Sequence, residues 1–153
     1  MNSALIDTNL LLLLIVGATE RDYIGKHKRT KQFTVEDYDL LLSQLERFKQ
    51  LWVTSHCLAE TSNLVNQSSS QVASRIMKNM GYLCGTFSES HMKKEIVCSD
   101  SELARLGIAD VGFVRKSKSV SCSFTVDHDL YQSISRLGRK VVNLNHLRIA
   151  HLL

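Results

Sequence analysis

The short apolar runs of this sequence are unbroken rather than alternating, and stretches with helical spacing separate them. Ser3-Ala4-Leu5-Ile6, Leu51-Trp52-Val53-Thr54, Glu95-Ile96-Val97-Cys98, Val120 to Val126 and Lys140 to Leu144 read as five strands. A strand that alternates apolar and polar side chains keeps one face in water. A strand without that alternation must be covered on both faces. Joined to intervening helices, this pattern predicts an α/β fold: a three-layer α/β/α sandwich around a central parallel sheet of about five strands. The 153 residues suffice for one sizeable core. With no proline in the chain there is no sign of a stiff linker, so residues 1–153 read as a single domain.

The segments between the strands carry helix signals. Asn9 to Val16 is leucine-rich rather than β-branched, which favours a buried helix, and Gly17 is expected to end it. Gly25 to Lys31 reads as a basic loop. Thr34 and Asp37 approximate a capping box for a helix over 34–50, where Val35, Tyr38, Leu41, Leu42, Leu45 and Phe48 share one face. Ser55 is expected to cap the next helix. The serine run at 68–70 opens another, with Val72, Ile76, Met80 and Leu83 on one side. Ser99 and Glu102 suggest a further capping box, with Gly107 at the end of that short helix. Asp110 falls in the first turn of the following helix. The last helix signal, Leu130, Ile134 and Leu137, stops at Gly138.

Nineteen Lys and Arg against fifteen Asp and Glu give a formal charge of +4, which permits a nucleic-acid partner without requiring one. The longest apolar run, Leu10 to Ala18, is too short to span a bilayer. No Lys or Arg precedes it, and Asp7 and Asn9 stand at its front edge, unlike a signal peptide. Cys57, Cys84, Cys98 and Cys122 form no close pair of the kind a zinc site needs, and read as reduced thiols in or near the core. The expectation is a cytoplasmic protein with no membrane association.

In parallel α/β sheets, ligands bind outside the carboxyl ends of the strands, so acids at those ends outrank acids on helix surfaces. Asp7 follows the first strand, and Asp127 and Asp129 follow the fourth. Glu60 lies one to two turns into the helix after the second, and Asp110 opens the helix that leads into the fourth. Each alone has an ordinary explanation as a helix cap or a surface charge. Together they would repel one another and raise each other's pKa values. A hard divalent cation such as Mg²⁺ or Mn²⁺ relieves that repulsion through oxygen ligands. Such an ion activates water and offsets charge on a phosphate oxygen.

Four segments resemble the motifs of the PIN-domain family, in family order. Ile6-Asp7-Thr8-Asn9 before a leucine run is similar to its opening. Leu58-Ala59-Glu60, Gly107-Ile108-Ala109-Asp110 and Phe124-Thr125-Val126-Asp127-His128-Asp129 are similar to its second, third and fourth motifs. The resemblance implies an Mg²⁺- or Mn²⁺-dependent ribonuclease. It further implies the toxin of a type II toxin–antitoxin pair, with a cognate antitoxin protein and a homodimer as partners. Carried over residue by residue, Asp7, Glu60, Asp110 and Asp127 are the catalytic, metal-binding quartet. Asp129 supports them, and Asn9 and Thr125 orient ligands or water. Val111-Gly112-Phe113 departs from the family pattern at the glycine, and the basic segment 25–33 has no counterpart in it. Lys26, Lys28, Arg29 and Lys31, with Arg115, Lys116 and Lys118, are candidates for guiding RNA phosphates.

Two other classes compete. Aspartyl phosphotransferases also place Asp after the first strand, but the dehalogenase type needs a second Asp where Asn9 stands. The receiver type needs paired acids near the first strand and a late lysine, where Asn143 and Asn145 stand instead. A non-catalytic RNA- or protein-binding module, or a nuclease processing DNA or structured RNA, completes the set. Without the five proposed site acids the chain carries nineteen basic against ten acidic side chains, a body of +9 around an acidic pocket.

Overall fold

The computed structural model describes residues 2–152. Strands β1 (Ser3–Ile6), β2 (Gln50–Thr54), β3 (Ser88–Ser90), β4 (Cys122–Thr125) and β5 (Val141–Asn143) form one sheet in the order β3-β2-β1-β4-β5. All four pairings are parallel, with Leu5 in register with both Trp52 and Ser123. The described residues also form nine α-helices: α1 (Thr8–Thr19), α2 (Val35–Leu45), α3 (Ser55–Val65), α4 (Ser70–Cys84), α5 (Lys94–Cys98), α6 (Leu103–Leu106), α7 (Ile108–Lys116), α8 (His128–Arg136) and α9 (Leu144–Leu152). The expected α/β architecture with a five-stranded parallel sheet is the observed one.

The sheet is buried on both faces because its strands feed two cores alternately. Ala4 and Ile6 of β1, with Val53, Cys122 and Phe124, join the larger core, which contains the leucines of α1 and Leu41, Leu45, Ile76 and Met80. Leu5 points the other way, into a smaller core with Cys57, Phe113 of α7, and Leu130 and Ile134 of α8. Helix α1 is buried nearly all round, from Leu10 to Gly17, and packs against α2, α3 and α4. That encirclement explains why its sequence has no polar stripe. The apolar faces of α2 and α4 are spent on this core. Among the described residues, no helix is long and apolar enough to cross a membrane.

The capping box at Thr34 and Asp37 is present with both reciprocal bonds, but α2 ends at Leu45, and Gln50 already belongs to β2. Several local expectations are corrected. Gly17 does not end α1, which runs on to Thr19. The ring of Tyr38 lies so close to Gly17 that an added Cβ would sit 2.4 Å from Tyr38 Cδ2. Glu95–Cys98 is not a strand but part of α5. A four-residue apolar run carries too little periodicity to separate the two. The third strand is instead the polar Ser88–Ser90, held at the sheet edge by pairing with Trp52–Thr54. Ser99 and Glu102 form no capping box. The Asp100 carboxylate accepts the Glu102 N–H at 2.8 Å instead. Thr54, not Ser55, caps α3, accepting from the Cys57 N–H at 3.1 Å. Cys57 and Cys122 are buried, whereas Cys98 is exposed. Helix α9 had no signal assigned to it.

The basic segment folds around two buried polar side chains. His27 Nδ1 accepts from the Arg29 N–H at 3.1 Å, and Thr30 Oγ1 donates to the Ile24 carbonyl at 2.8 Å. The Lys26, Lys28, Arg29 and Lys31 side chains are therefore turned outward and exposed.

Candidate active site

The strand order reverses between β1 and β4. From β1 the chain moves outward through β2 to β3, then returns across β1 to β4 and β5. A crevice forms outside the carboxyl ends of strands at such a switch point. Asp7 follows β1 and Asp127 follows β4, so the two flank it.

Both acids are helix N-caps. Asp7 Oδ1 accepts the Thr8 N–H at 2.7 Å, and Asp127 Oδ1 accepts the Leu130 N–H at 2.8 Å. Thr125, fully buried at the end of β4, ties them together. Its Oγ1 donates to Asp7 Oδ2 at 2.8 Å and accepts the Asp127 N–H at 3.0 Å. Glu60 on the exposed side of α3 is reached by Thr8, whose Oγ1 donates to Glu60 Oε2 at 3.3 Å. Asp110 stands half-buried in the first turn of α7, and Asp129 is exposed in the first turn of α8.

Electrostatic interaction links Asp110 to the other four acids, and Asp7 to Asp127 and Glu60. Asp7 is pushed up from 3.8 to about 6, chiefly by burial and further by Asp127 and Glu60. Its hydrogen bonds from Thr125 and Thr8 oppose the shift. Asp110 is pushed up from 3.8 to about 7, again chiefly by burial and then by Asp7, Asp127, Glu60 and Asp129. Cys57 lies beneath the cluster, its thiol raised to about 11 by burial and by Asp7 and Glu60, so it stays neutral.

Among the described residues, no group of three or more Asp, Glu, His or Cys side chains is placed to hold a metal ion. A Mg²⁺ ion does not require that. It keeps several waters and uses one or two carboxylates directly. An all-oxygen donor set fits a hard divalent cation.

Of the other sequence candidates, Asn9 lines a cavity of about 220 Å³ together with Asp127, Gln32, Phe33, Asn145 and Arg148. The end of the basic segment therefore abuts the acidic crevice. Arg29 Nε donates to Gln67 Oε1 at 2.7 Å. Arg115 is paired with Asp100 at 2.7 Å, and the Lys116 ammonium lies 3.6 Å from the Trp52 ring centroid. Of these three side chains, Arg115 alone has an acidic partner among the described residues.

Three residues escaped the sequence reading. Thr8 sits within the first acidic motif and Cys57 immediately precedes the second, adjacent to residues that were singled out. Arg148 on α9 had no signal. It donates to Asp37 Oδ1 at 3.0 Å and to Asn145 Oδ1 at 2.9 Å, a link across more than a hundred residues that only the fold creates.

The raised acids have a consequence for stability. Both bind protons more tightly folded than unfolded, so their contribution favours folding at low pH and is lost as pH rises through about 6 and about 7. In EDTA, Tm is expected to fall between pH 5 and pH 8. Asp110→Asn should flatten that fall, and Mg²⁺ at pH 8 should raise Tm of the native protein. Thermal melts across this range check it; a native Tm that ignores both pH and Mg²⁺ counts against the coupled cluster.

No protein-family model matches the sequence, and no curated protein matches it at a significant level.

Proposed function

We propose that the chain is a PIN-like, Mg²⁺- or Mn²⁺-dependent nuclease that hydrolyses RNA phosphodiester bonds. One observation carries this reading: Asp7 and Asp127 cap α1 and α8 at the sheet's switch point and share the Thr125 hydroxyl, while burial and neighbouring acids raise Asp7 to about 6 and Asp110 to about 7. A divalent cation would relieve the repulsion among these acids.

Asp7, Asp110 and Asp127 are the residues suited to hold the ion, with Glu60 and Asp129 at its margins. When bound, the ion supplies a more acidic water and neutralises charge on a phosphate oxygen. The chain's own residues supply position and protons. Thr125 fixes Asp7 relative to the Asp127 backbone through one hydroxyl. Thr8 restrains Glu60. Asp110, raised to about 7 chiefly by burial, holds a proton near neutral pH that cation binding would displace. Lys26, Lys28 and Lys31 are free to meet the phosphate backbone.

The test is incubation of single-stranded RNA and its DNA counterpart with the protein, in Mg²⁺ and in EDTA. Cleavage of RNA in Mg²⁺ alone is expected. Cleavage that persists in EDTA contradicts the reading. The narrower role, a toxin held by an antitoxin and assembled as a homodimer, rests on the motif resemblance. Copurification with the product of the neighbouring reading frame, and the mass in solution by light scattering, test it. A lone monomer without a partner contradicts it.

A further inference from the structure

Helices α7 and α8 both begin at the acidic crevice and both end in cations. Asp110 and Asp129 occupy their first turns, and Arg115, Lys116 and Arg136 their last. Helix dipoles favour that distribution one helix at a time. They do not explain why the cationic ends converge. Arg105 from α6, Arg115 from α7, Lys118 just beyond it, Arg136 from α8 and Arg139 after it line one cavity of about 490 Å³. This is within the size range of small-ligand sites.

Two acids share that lining, and each is already paired. Arg115 Nε lies 2.7 Å from Asp100 Oδ2, and Arg105 Nε 2.6 Å from Glu102 Oε2. The remaining cations have no countercharge among the described residues. Arg139 Nη1 donates to the Val114 carbonyl at 2.7 Å and to Ser117 Oγ at 3.0 Å, neutral acceptors that fix its guanidinium without discharging it. Arg136 meets only the neutral Gln132 Oε1, at 3.5 Å, and Lys118 is exposed. Beside these charges stand Leu106 and Leu137, the latter 54% exposed, an apolar wall that a bare inorganic anion would not use. None of the five crevice acids lines the cavity. Arg115 is five residues beyond Asp110 on α7, about 8 Å along the axis at 1.5 Å per residue.

We propose that this cavity binds one nucleotide unit of the RNA strand whose scissile phosphate lies at the acidic crevice. Its phosphate meets Lys118, Arg136 and Arg139, and its ribose or base covers Leu106 and Leu137. The nucleotide's combination of an anionic phosphate and a flat base matches the two halves of the lining. The proposal rests on the nuclease reading for the strand's identity, but not for the cavity's chemistry.

Two measurements test it. The first is binding of a twelve-nucleotide single-stranded RNA in EDTA, as a function of salt. The double variant Lys118→Gln/Arg136→Gln is expected to weaken binding about tenfold and to reduce the salt slope by about 1. The control Lys93→Gln/Lys94→Gln removes two exposed cations outside the cavity and should change binding far less. Equal losses in both double variants, or no loss in the first, overturn the proposal. The second is titration with adenosine 5′-monophosphate, followed by the methyl NMR signals of Leu106 and Leu137. Shifts in the native protein that vanish in Lys118→Gln/Arg136→Gln support the subsite. Silent methyls, or methyls that respond only to a hexaglutamate peptide, overturn it, the latter in favour of an acidic protein partner. Should the native protein bind no RNA, the nuclease reading fails on the first measurement while the second still decides the cavity.

Discussion

Asp7→Asn lowers divalent-dependent RNA cleavage by on the order of 10³-fold and leaves the fold in place. The activity loss follows from position. Asp7 is the most deeply buried acid of the cluster, 6% exposed, and it stands where β1 opens onto the switch-point crevice. Replacing its carboxylate by an amide removes a full charge from the ion's surroundings. Several kcal/mol of charge stabilisation at the reacting phosphate correspond to that loss of rate. The preserved fold follows from the hydrogen bonds. The Asn side-chain oxygen can still accept the Thr8 N–H, and the Thr125 hydroxyl can turn to accept from the new amide while keeping the Asp127 N–H. Removing a carboxylate whose pKa is raised to about 6 also relieves its burial cost above that pH. The variant should thus melt no lower than the native protein at pH 8 in EDTA. Wild-type cleavage rates in Asp7→Asn would exclude the acidic cluster as the reaction centre. A collapsed Tm would mean that Asp7 is mainly a cap for α1.

Gly17→Ala should cost about 1–3 kcal/mol of stability, the range for forcing extra volume into a packed core. In an open helix the same change would gain up to about 1 kcal/mol. The sign reverses here because the new methyl would lie 2.4 Å from Tyr38 Cδ2 and 2.5 Å from Cε2. Tyr38 is 6% exposed and belongs to the larger core. At roughly 2–4 °C per kcal/mol for a chain of this size, Tm should drop by about 2–12 °C. Gly112 in α7 is the internal contrast. An added Cβ there meets His56 Nδ1 at 3.6 Å, an ordinary contact, so Gly112→Ala should hold or raise Tm. The departure from the PIN pattern at that position is therefore not sterically enforced. An unchanged Tm in Gly17→Ala would show that α1 and α2 separate more readily than their packing implies.

The glycines also show where the sequence was legible and where it was not. Gly107 and Gly138 stop helices as expected, and both have positive φ, 83° and 71°, a local requirement that a local signal reports. Gly17 looked the same in sequence, yet its reason is the ring of Tyr38, twenty-one residues away, which no local pattern encodes. The same division runs through the sheet. β1, β2, β4 and β5 were found because burial on both faces demands continuous apolar side chains. β3 was missed because a three-residue edge strand is held by backbone pairing, and its Ser-Glu-Ser side chains carry no such demand. In the site, Asp7, Asp110 and Asp127 were legible because they stand at element junctions. The bond from Thr125 to Asp7 was not, because it joins residues 118 apart. The basic residues were the least legible. A charge in sequence does not reveal its partner, and Arg115 had Asp100 as one.

The central claim is that the switch-point carboxylates form a divalent-cation site that is protonated when empty. Calorimetric titration with Mn²⁺ at pH 6.5, in buffers of differing ionisation enthalpy, tests it most directly, since cation binding must displace the protons held by Asp110 and Asp7. The expected result is binding with release of about one proton per protein, given values of about 7 and about 6 for the two acids. That release should largely disappear in Asp110→Asn. Absence of Mn²⁺ binding, or a heat of binding independent of the buffer, would contradict the account.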